Sequence, residues 1–232
     1  MESLEWLAMV RHGESTANVA SDEAAARGLD AVDITLRDAD VPLSQVGREQ
    51  AVALGRRLAA LPADERPTAV LSSPYLRASD TARIALEQLA DPPPIVLDER
   101  LRDREMGALY MLTLRGIETR HPEEVERKRR LGKFYYRPPG GESWADMALR
   151  LRSVLADIDR EYPRGRILVV AHDAIVVLTR YIIERLSEEE LLDVERTLVA
   201  NGSLTIWARE NGGLRLVTFN DTDHLKDADL AP

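Results

Sequence analysis

The sequence contains no cysteine among its 232 residues. Disulfide bonds, thiol nucleophiles and cysteine-ligated zinc are therefore excluded. The sequence also lacks any apolar run near the roughly 20 residues that a membrane-spanning helix needs. Residues 1–5 have neither the basic cluster nor the apolar core of a secretory signal. These absences predict a cytoplasmic protein that does not associate with a membrane.

Positive charge is scarce, because 31 Lys and Arg stand against 40 Asp and Glu, giving a formal net charge of -9. This balance argues against nucleic acid or an anionic membrane surface as a partner. Any anion site must therefore be a local basic pocket in an acidic molecule. The apolar content of 44% and charged content of 31% are ordinary for a globular protein. The length suits one domain over residues 1–232 with a substantial core.

Strand-like and helix-like segments alternate along the chain. The predicted strands are 4–10, 68–72, 95–97, 166–171, 203–208 and 214–219, and the predicted helices are 44–60, 75–90, 122–131, 143–160, 173–186 and 188–196. The alternation predicts a three-layer α/β/α fold, in which a mostly parallel central sheet has helices on both faces and an antiparallel C-terminal edge. Residues 18–40 show no clear periodicity and are predicted to pass over the functional site. Residues 226–232 are predicted to form a flexible tail.

Cationic and histidine residues follow the predicted strands. Arg11 and His12 follow the first strand, Arg77 follows the second, and His172 ends a later one. In an open α/β sheet, ligands bind at the carboxyl ends of the strands, so these side chains are expected to converge there. An imidazole can attack phosphorus as a nucleophile, while guanidinium groups hold phosphoryl oxygens. The pattern predicts phosphoryl transfer through a histidine.

These motifs and their order resemble the histidine phosphatase superfamily, the phosphoglycerate-mutase-like group, and the similarity extends from about Leu4 to Leu225. The matching segments are Arg11-His12-Gly13-Glu14-Ser15 with Asn18, Ser73-Pro74 through Thr81-Ala82, Gly140-Gly141-Glu142-Ser143, and Ala171-His172.

The resemblance implies roles for individual residues. It makes His12 the nucleophile and gives Arg11 and Arg77 the task of clamping the phosphoryl oxygens. It implies that His172, as a cation, hydrogen-bonds the transferring phosphoryl group. Asn18 and Gly13 are expected to contribute to the same pocket.

The general acid is left open between three carboxylates. Many members of the family carry glutamate in a Leu-x-Glu pattern, where this chain has Asp103, which is shorter by one methylene. Glu105 is two residues further along, and on strand-like backbone both side chains would point to the same side. Asp173, which follows His172, corresponds to the proton donor of a more distant acid-phosphatase branch. Asp103 is favoured, Glu105 is the alternative, and Asp173 is better explained as a helix N-cap.

Two further cations, Arg104 and Lys133, are candidates for binding the rest of the substrate. Lys133 opens the basic and aromatic segment 133–139, which precedes a glycine-rich turn. Such a segment can hold a phosphorylated sugar or acid, or it can be ordinary loop packing.

Together these observations predict a phosphatase that hydrolyses phosphomonoesters of small metabolites through a phosphohistidine on His12, with no metal and no cofactor. One alternative is a cofactor-dependent phosphoglycerate mutase. The mutases that the chain resembles carry a long insertion before the Glu-Ser of the next helix, whereas Pro138-Pro139 here runs directly through Gly140-Gly141. A second alternative is an inactive protein that binds phosphorylated ligands. A homodimer is possible, because the apolar positions of helix 173–186 suit either the core or a partner.

Overall fold

The computed structural model describes residues 3–230. Its strands are β1 (Trp6–Arg11), β2 (Ala69–Ser72), β3 (Ile95–Leu97), β4 (Arg166–Ala171), β5 (Leu204–Glu210) and β6 (Gly213–Asp221). They form one sheet in the order β3-β2-β4-β1-β5-β6. Strands β1 to β4 are parallel, whereas β5 pairs antiparallel with β1 and β6 antiparallel with β5. The predicted three-layer α/β class with a mostly parallel sheet and an antiparallel C-terminal edge is confirmed.

The helices lie on both faces of this sheet. They are α1 (Thr16–Ala26), α2 (Gln45–Ala60), α3 (Leu76–Leu86), α4 (Leu114–Arg120), α5 (Pro122–Leu131), α6 (Trp144–Glu161), α7 (Asp173–Glu184), α8 (Glu188–Glu195) and α9 (Asp223–Lys226). Short 3-10 helices span Asp38–Asp40, Glu99–Leu101 and Gly107–Leu109. No helix within residues 3–230 is long and apolar enough to cross a lipid bilayer.

The parallel strands β1, β2 and β4 are buried on both faces, which is why they appear in the sequence as continuous apolar runs, whereas Val96 and Leu97 of the edge strand β3 are exposed. Successive strand residues point to opposite layers. Met9 and Val169 pack in the layer of α6 and α7, whereas Val10 and Val170 pack in the layer of α2 and α3. The helix α6 has an apolar stripe that is buried along its length: Met147, Leu151, Val154, Leu155 and Ile158. Burying each such side chain contributes roughly 1.5–3 kcal/mol to the free energy of unfolding.

Three helices were not predicted: α1, α4 and the one-turn α9. α1 occupies a region without periodicity because only Ala24 of its residues is buried, so it has no apolar stripe to detect. A capping box starts it instead: Ser15 Oγ accepts from the Asn18 backbone N–H, and Asn18 Oδ1 accepts from the Ser15 backbone N–H. The short α4 was also missed, and it likewise buries a single residue, Gly116.

The C-terminal part of the chain contains the last two strands and the predicted tail. Strands β5 and β6 of the antiparallel C-terminal edge form a hairpin, and Asn211 and Gly212 at its tip both have positive φ, as a tight two-residue turn requires. In the predicted tail, α9 ends at Lys226 and the Leu230 N–H donates to the Leu225 carbonyl. Residues 231 and 232 lie outside the described part of the chain.

Candidate active site

The two predicted catalytic histidines are neighbours because their strands are neighbours. Arg11 at the end of β1 pairs in register with Ala171 at the end of β4. Each histidine is the next residue along its strand. The His12 N–H donates to the Ala171 carbonyl at 2.9 Å, and the two imidazole ring centroids lie 5.2 Å apart. The sheet register therefore brings together two side chains that are far apart in the sequence.

His12 is buried and held in one tautomer. Its Nδ1 lies 2.7 Å from the carbonyl oxygen of Gly13, so Nδ1 carries the proton and Nε2 keeps its lone pair. Burial, followed by the positive fields of His172, Arg77 and Arg11, lowers the pKa of His12 well below its usual value. The imidazole is consequently neutral near pH 7, as a nitrogen nucleophile must be.

Arg77, in the first turn of α3, presents a guanidinium whose side chain is only 5% exposed. Nη1 donates to the backbone oxygen of Asp38 at 2.7 Å and to its Oδ1 at 2.9 Å. Nη2 donates to Oδ2 of Asp103 at 2.9 Å. Two carboxylates thus hold this cation beside the histidine pair.

His172 is fully buried and lies between a hydroxyl and a carboxylate. Its Nε2 is 2.9 Å from Ser73 Oγ. Its Nδ1 is 3.3 Å from Asp103 Oδ2, at ion-pair distance but not aligned as a hydrogen bond. Burial would raise the pKa of Asp103, but His172 and Arg77 outweigh it and hold that pKa well below the usual range. In the unliganded protein Asp103 is therefore an ionised carboxylate.

Arg11 adds a second buried cation at the end of β1. One guanidinium nitrogen, Nη1, donates to the Val199 carbonyl, while its Nε is buried and has no hydrogen-bond partner. An unpaired buried donor of this kind is costly unless a ligand satisfies it. The position of Arg11 beside His12 is that expected of a group that receives an anion.

The remaining predicted residues of the pocket have contacts of their own. Asn18 Oδ1 caps α1 at Ser15 and lies 3.4 Å from Asn201 Nδ2, so only its amide nitrogen stays outside these contacts. The N–H of Gly13 donates to Thr81 Oγ1 at 3.0 Å, and its carbonyl accepts from His12. Both backbone groups of Gly13 are thus engaged within the protein, and its predicted substrate contact stays a prediction.

The two cations predicted to bind the rest of the substrate are engaged with the protein. Arg104 donates from Nε to the Glu142 carbonyl at 2.8 Å and from Nη2 to the Tyr136 carbonyl at 3.2 Å. Lys133 forms an ion pair with Glu195 and lies 5.2 Å from the Trp144 ring centroid. None of these contacts involves a residue of the histidine cluster.

The three candidate acids are placed differently. Asp103 is in the cluster, against Arg77 and His172. Glu105 is exposed and its Oε1 accepts from the Gly107 N–H at 2.8 Å. The segment between them is irregular rather than strand-like, so the strand geometry on which their expected shared side depends is absent. His172 is the N-cap of α7, and Asp173, predicted as the cap, is its first residue, with Oδ1 accepting from the Ala174 N–H.

Two residues of this cluster had no predicted role. Asp38 lies in the region without periodicity, 39 residues before Arg77, and no motif connects the two. Ser73 belonged to a recognised motif, but its contact with His172 depends on the adjacency of β2 and β4, which the sequence does not state. Only the assembled sheet shows both contacts.

The fold and the cluster together define the class of the protein as an enzyme that handles phosphoryl groups. A sequence model of the histidine phosphatase superfamily (branch 1) matches residues 7–222. The chain therefore belongs to the histidine phosphatase superfamily, and it is an enzyme of the phosphatase type.

Individual relatives have different activities. The chain is 34% identical over 192 residues to 2,3-bisphosphoglycerate-dependent phosphoglycerate mutase 2 of Gloeobacter violaceus, covering 82% of this chain and 80% of the relative. It is 31% identical over 170 residues to the metal-independent phosphoserine phosphatase of Arabidopsis thaliana, covering 73% of this chain and 65% of the relative. Among solved structures, a mycobacterial glucosyl-3-phosphoglycerate phosphatase in complex with VO3 is 25% identical, with a TM-score of 0.74, covering 94% of this chain and all of that chain (100%).

Proposed function

We propose that this enzyme hydrolyses phosphomonoesters through a phosphohistidine on His12, without a metal ion. The observation that carries the proposal is the tautomer of His12. The Gly13 carbonyl fixes the proton on Nδ1, so the free lone pair is on Nε2, beside two arginines and a second histidine. The arginines and His172 supply the positive charge that a phosphoryl transition state needs.

In the first half-reaction, His12 Nε2 forms a bond to phosphorus while the bond from phosphorus to the substrate's alcohol oxygen breaks. Asp103 gives a proton to the departing oxygen. In the second half-reaction, a water oxygen attacks phosphorus, its proton passes to Asp103, and the bond between phosphorus and His12 breaks. The products are the alcohol and inorganic phosphate, and both residues return to their starting state.

Asp103 must be protonated when the alcohol leaves, although the unliganded cluster keeps it ionised. A bound phosphoryl group changes this balance, because its negative charge beside Asp103 raises the pKa of the carboxyl. The negative charge of the same group also offsets the positive charges of Arg77 and His172, which otherwise lower the pKa of Asp103. Substrate binding is therefore expected to protonate Asp103, which then donates this proton to the departing alcohol oxygen.

Hydrolysis is favoured over the mutase reaction by the short connection before α6. A mutase must keep water away from its phosphohistidine while an intermediate reorients. Here the turn after Pro139 is tied directly to the loop after Asp103: the Ala108 N–H donates to the Pro139 carbonyl, and the Glu142 N–H donates to the Glu105 carbonyl. This connection has no long insertion that could form a lid over the phosphohistidine.

The proposal is tested by phosphate release from a panel of phosphomonoesters in the presence of a chelator. We expect His12→Ala to lose activity by at least about 10³-fold, because the nucleophile is gone. The matched control is His121→Ala. His121 lies 3.4 Å from Glu123 at the surface, outside the cluster, so this variant should keep the parent rate.

The alternatives have distinct outcomes. Absence of phosphate release, together with interconversion of 3-phosphoglycerate and 2-phosphoglycerate in the presence of bisphosphoglycerate, would make the protein a mutase. Tight binding of phosphorylated ligands with neither reaction would support the inactive binding protein. Equal phosphate release by the parent and His12→Ala would remove His12 from the mechanism.

A further inference from the structure

We infer that Asp38 is a specificity-determining residue, and that the alcohol released from the substrate carries no negative charge. This inference rests on the proposed function and adds the substrate class. The first step concerns the anchoring of Asp38. Its backbone oxygen and Oδ1 both accept from Arg77 Nη1, so the carboxylate is held at the phosphoryl site. Burial raises the pKa of Asp38, while the bonds from Arg77 favour its ionised form.

The anchored carboxylate is compatible with phosphate binding. A guanidinium has five N–H donors. The contacts with Asp38 use two of them on Nη1, and the contact with Asp103 uses one on Nη2. The Nε proton and one Nη2 proton remain for phosphoryl oxygens. Asp38 can therefore keep its hydrogen bonds to Arg77 while a phosphoryl group is bound.

Further acidic and aromatic groups lie close to Arg77 and Asp38. Asp103 lies on the other side of Arg77, and Glu105 follows it in the same loop. The ring centroid of Tyr75 is 5.1 Å from the Arg77 guanidinium carbon. Burial is the main cause that raises the pKa of Tyr110 to about 12, and the charge of Asp38 is the next. The group that leaves is thus met by the Asp38 carboxylate, by Asp103, which gives it a proton, and by neutral phenols.

Positive charge that could offset these carboxylates is directed elsewhere. Arg104 is the predicted substrate cation nearest to Asp103 in the chain, but two of its nitrogens donate to the backbone oxygens of Glu142 and Tyr136. Lys133 is paired with Glu195. A carboxylate on the leaving alcohol would lie beside the charge of Asp38, while the guanidinium of Arg104 is held by two backbone oxygens and Lys133 by Glu195. A neutral polyol or a protonated amine avoids this repulsion.

The test compares three small phosphomonoesters: glycerol 3-phosphate, 3-phosphoglycerate and phosphoethanolamine. The first two differ in one group, a hydroxymethyl against a carboxylate. At about pH 8, where carboxyl groups are ionised, we expect kcat/KM for glycerol 3-phosphate and for phosphoethanolamine to exceed that for 3-phosphoglycerate by at least about tenfold. Phosphoglycerate turned over as fast as glycerol phosphate would overturn the inference.

Asp38→Asn separates this residue from the rest of the site. Removing one negative charge should lower the ratio of kcat/KM for glycerol 3-phosphate to kcat/KM for 3-phosphoglycerate by at least about threefold. Asp40→Asn is the matched control, because Asp40 lies in the same short helix but pairs with Arg37 at the surface. The Asp40→Asn variant should have the same kcat/KM ratio for the two esters as the parent. An unchanged ratio in Asp38→Asn would exclude Asp38 as a specificity-determining residue.

A second measurement needs no substitution. Raising sodium chloride from about 20 mM to about 300 mM should lower the kcat/KM ratio of glycerol 3-phosphate to 3-phosphoglycerate in the native protein, because salt screens the charge of the partly exposed Asp38. Preference for 3-phosphoglycerate that is lost in Arg104→Met would instead make Arg104 a carboxylate-binding residue and contradict the inference. If the native protein releases phosphate from no ester of the panel, the proposed function fails and the inference fails with it. Release from other esters of the panel that depends on His12, with none from glycerol 3-phosphate or phosphoethanolamine, would overturn the inference alone.

Discussion

At the scale of single residues, the two carboxylates of one loop have opposite environments. Asp103 is held by His172 and Arg77, and its side chain is 26% exposed. Glu105 lies only two positions further along, yet it is exposed and accepts a hydrogen bond from its own turn. Geometry therefore favours Asp103 as the group that protonates the departing alcohol, although the sequence pattern of the family has glutamate there.

This difference predicts how substitutions depend on the leaving group. Asp103→Asn should lower kcat/KM by about 10²- to 10⁴-fold for an alkyl phosphate, because the alkoxide then leaves without a proton. It should lower kcat/KM for p-nitrophenyl phosphate by less than about tenfold, because nitrophenolate needs no proton to leave and kcat/KM reports the transfer to His12 rather than the later hydrolysis of phosphohistidine. Steady-state rates on the two esters measure this dependence.

Glu105→Gln is the comparison for this experiment. It should change kcat for both esters by less than about threefold, as expected when a side chain takes no part in proton transfer. If Glu105→Gln shows the strong dependence on the leaving group and Asp103→Asn does not, the assignment of the acid is wrong.

At the scale of elements, α2 supports the loop that carries the nucleophile. Ser44, its N-cap, accepts from the Gly47 N–H and also donates to Glu14 Oε1. Gly47 lies directly against this loop: a Cβ added there would be 2.0 Å from the Glu14 carbonyl oxygen. A Cβ on Gly13 would be 2.4 Å from the Gly47 carbonyl oxygen. The close approach of the two backbones depends on the absence of both side chains.

Gly47→Ala should therefore destabilise the protein, although alanine favours helices by about 1 kcal/mol over glycine. We expect a net loss of at least about 2 kcal/mol in the free energy of unfolding, because the helix must move away from the loop. Urea denaturation measures this loss. Gly213→Ala, where a Cβ meets nothing within 4 Å, should change stability by less than about 0.5 kcal/mol. A Gly47→Ala protein as stable as the parent would show that the contact is dispensable.

The elements also show what the sequence could and could not predict. β3 and β4 were predicted with the bounds observed, and α6 was predicted to within one residue at each end, because continuous apolar runs and helical spacing are local signals. α1 was missed because it buries one residue. α3 was predicted over 75–90 and is observed over Leu76–Leu86, since residues 87–90 continue in turns and bends that propensity alone does not distinguish.

At the scale of the whole molecule, the sheet order explains how an acidic protein builds a cationic site. β4 lies between β2 and β1, so the segments that follow these three strands meet at one edge. They bring Arg11, Arg77 and two histidines together. The predicted convergence of these side chains is observed. The contact from Asp38 to Arg77 was beyond sequence reasoning, because it is a tertiary contact made by a segment with no periodic signal.

The account centres on a covalent bond between phosphorus and Nε2 of His12. In the most direct test, the enzyme is mixed with a phosphomonoester that it hydrolyses and is quenched rapidly in alkali, which preserves phosphohistidine. Peptide mass spectrometry then locates the phosphoryl group. We predict a phosphoryl group on His12, formed no more slowly than steady-state turnover and absent in His12→Ala. A phosphoryl group on a different residue, or turnover that continues in His12→Ala, would contradict the account.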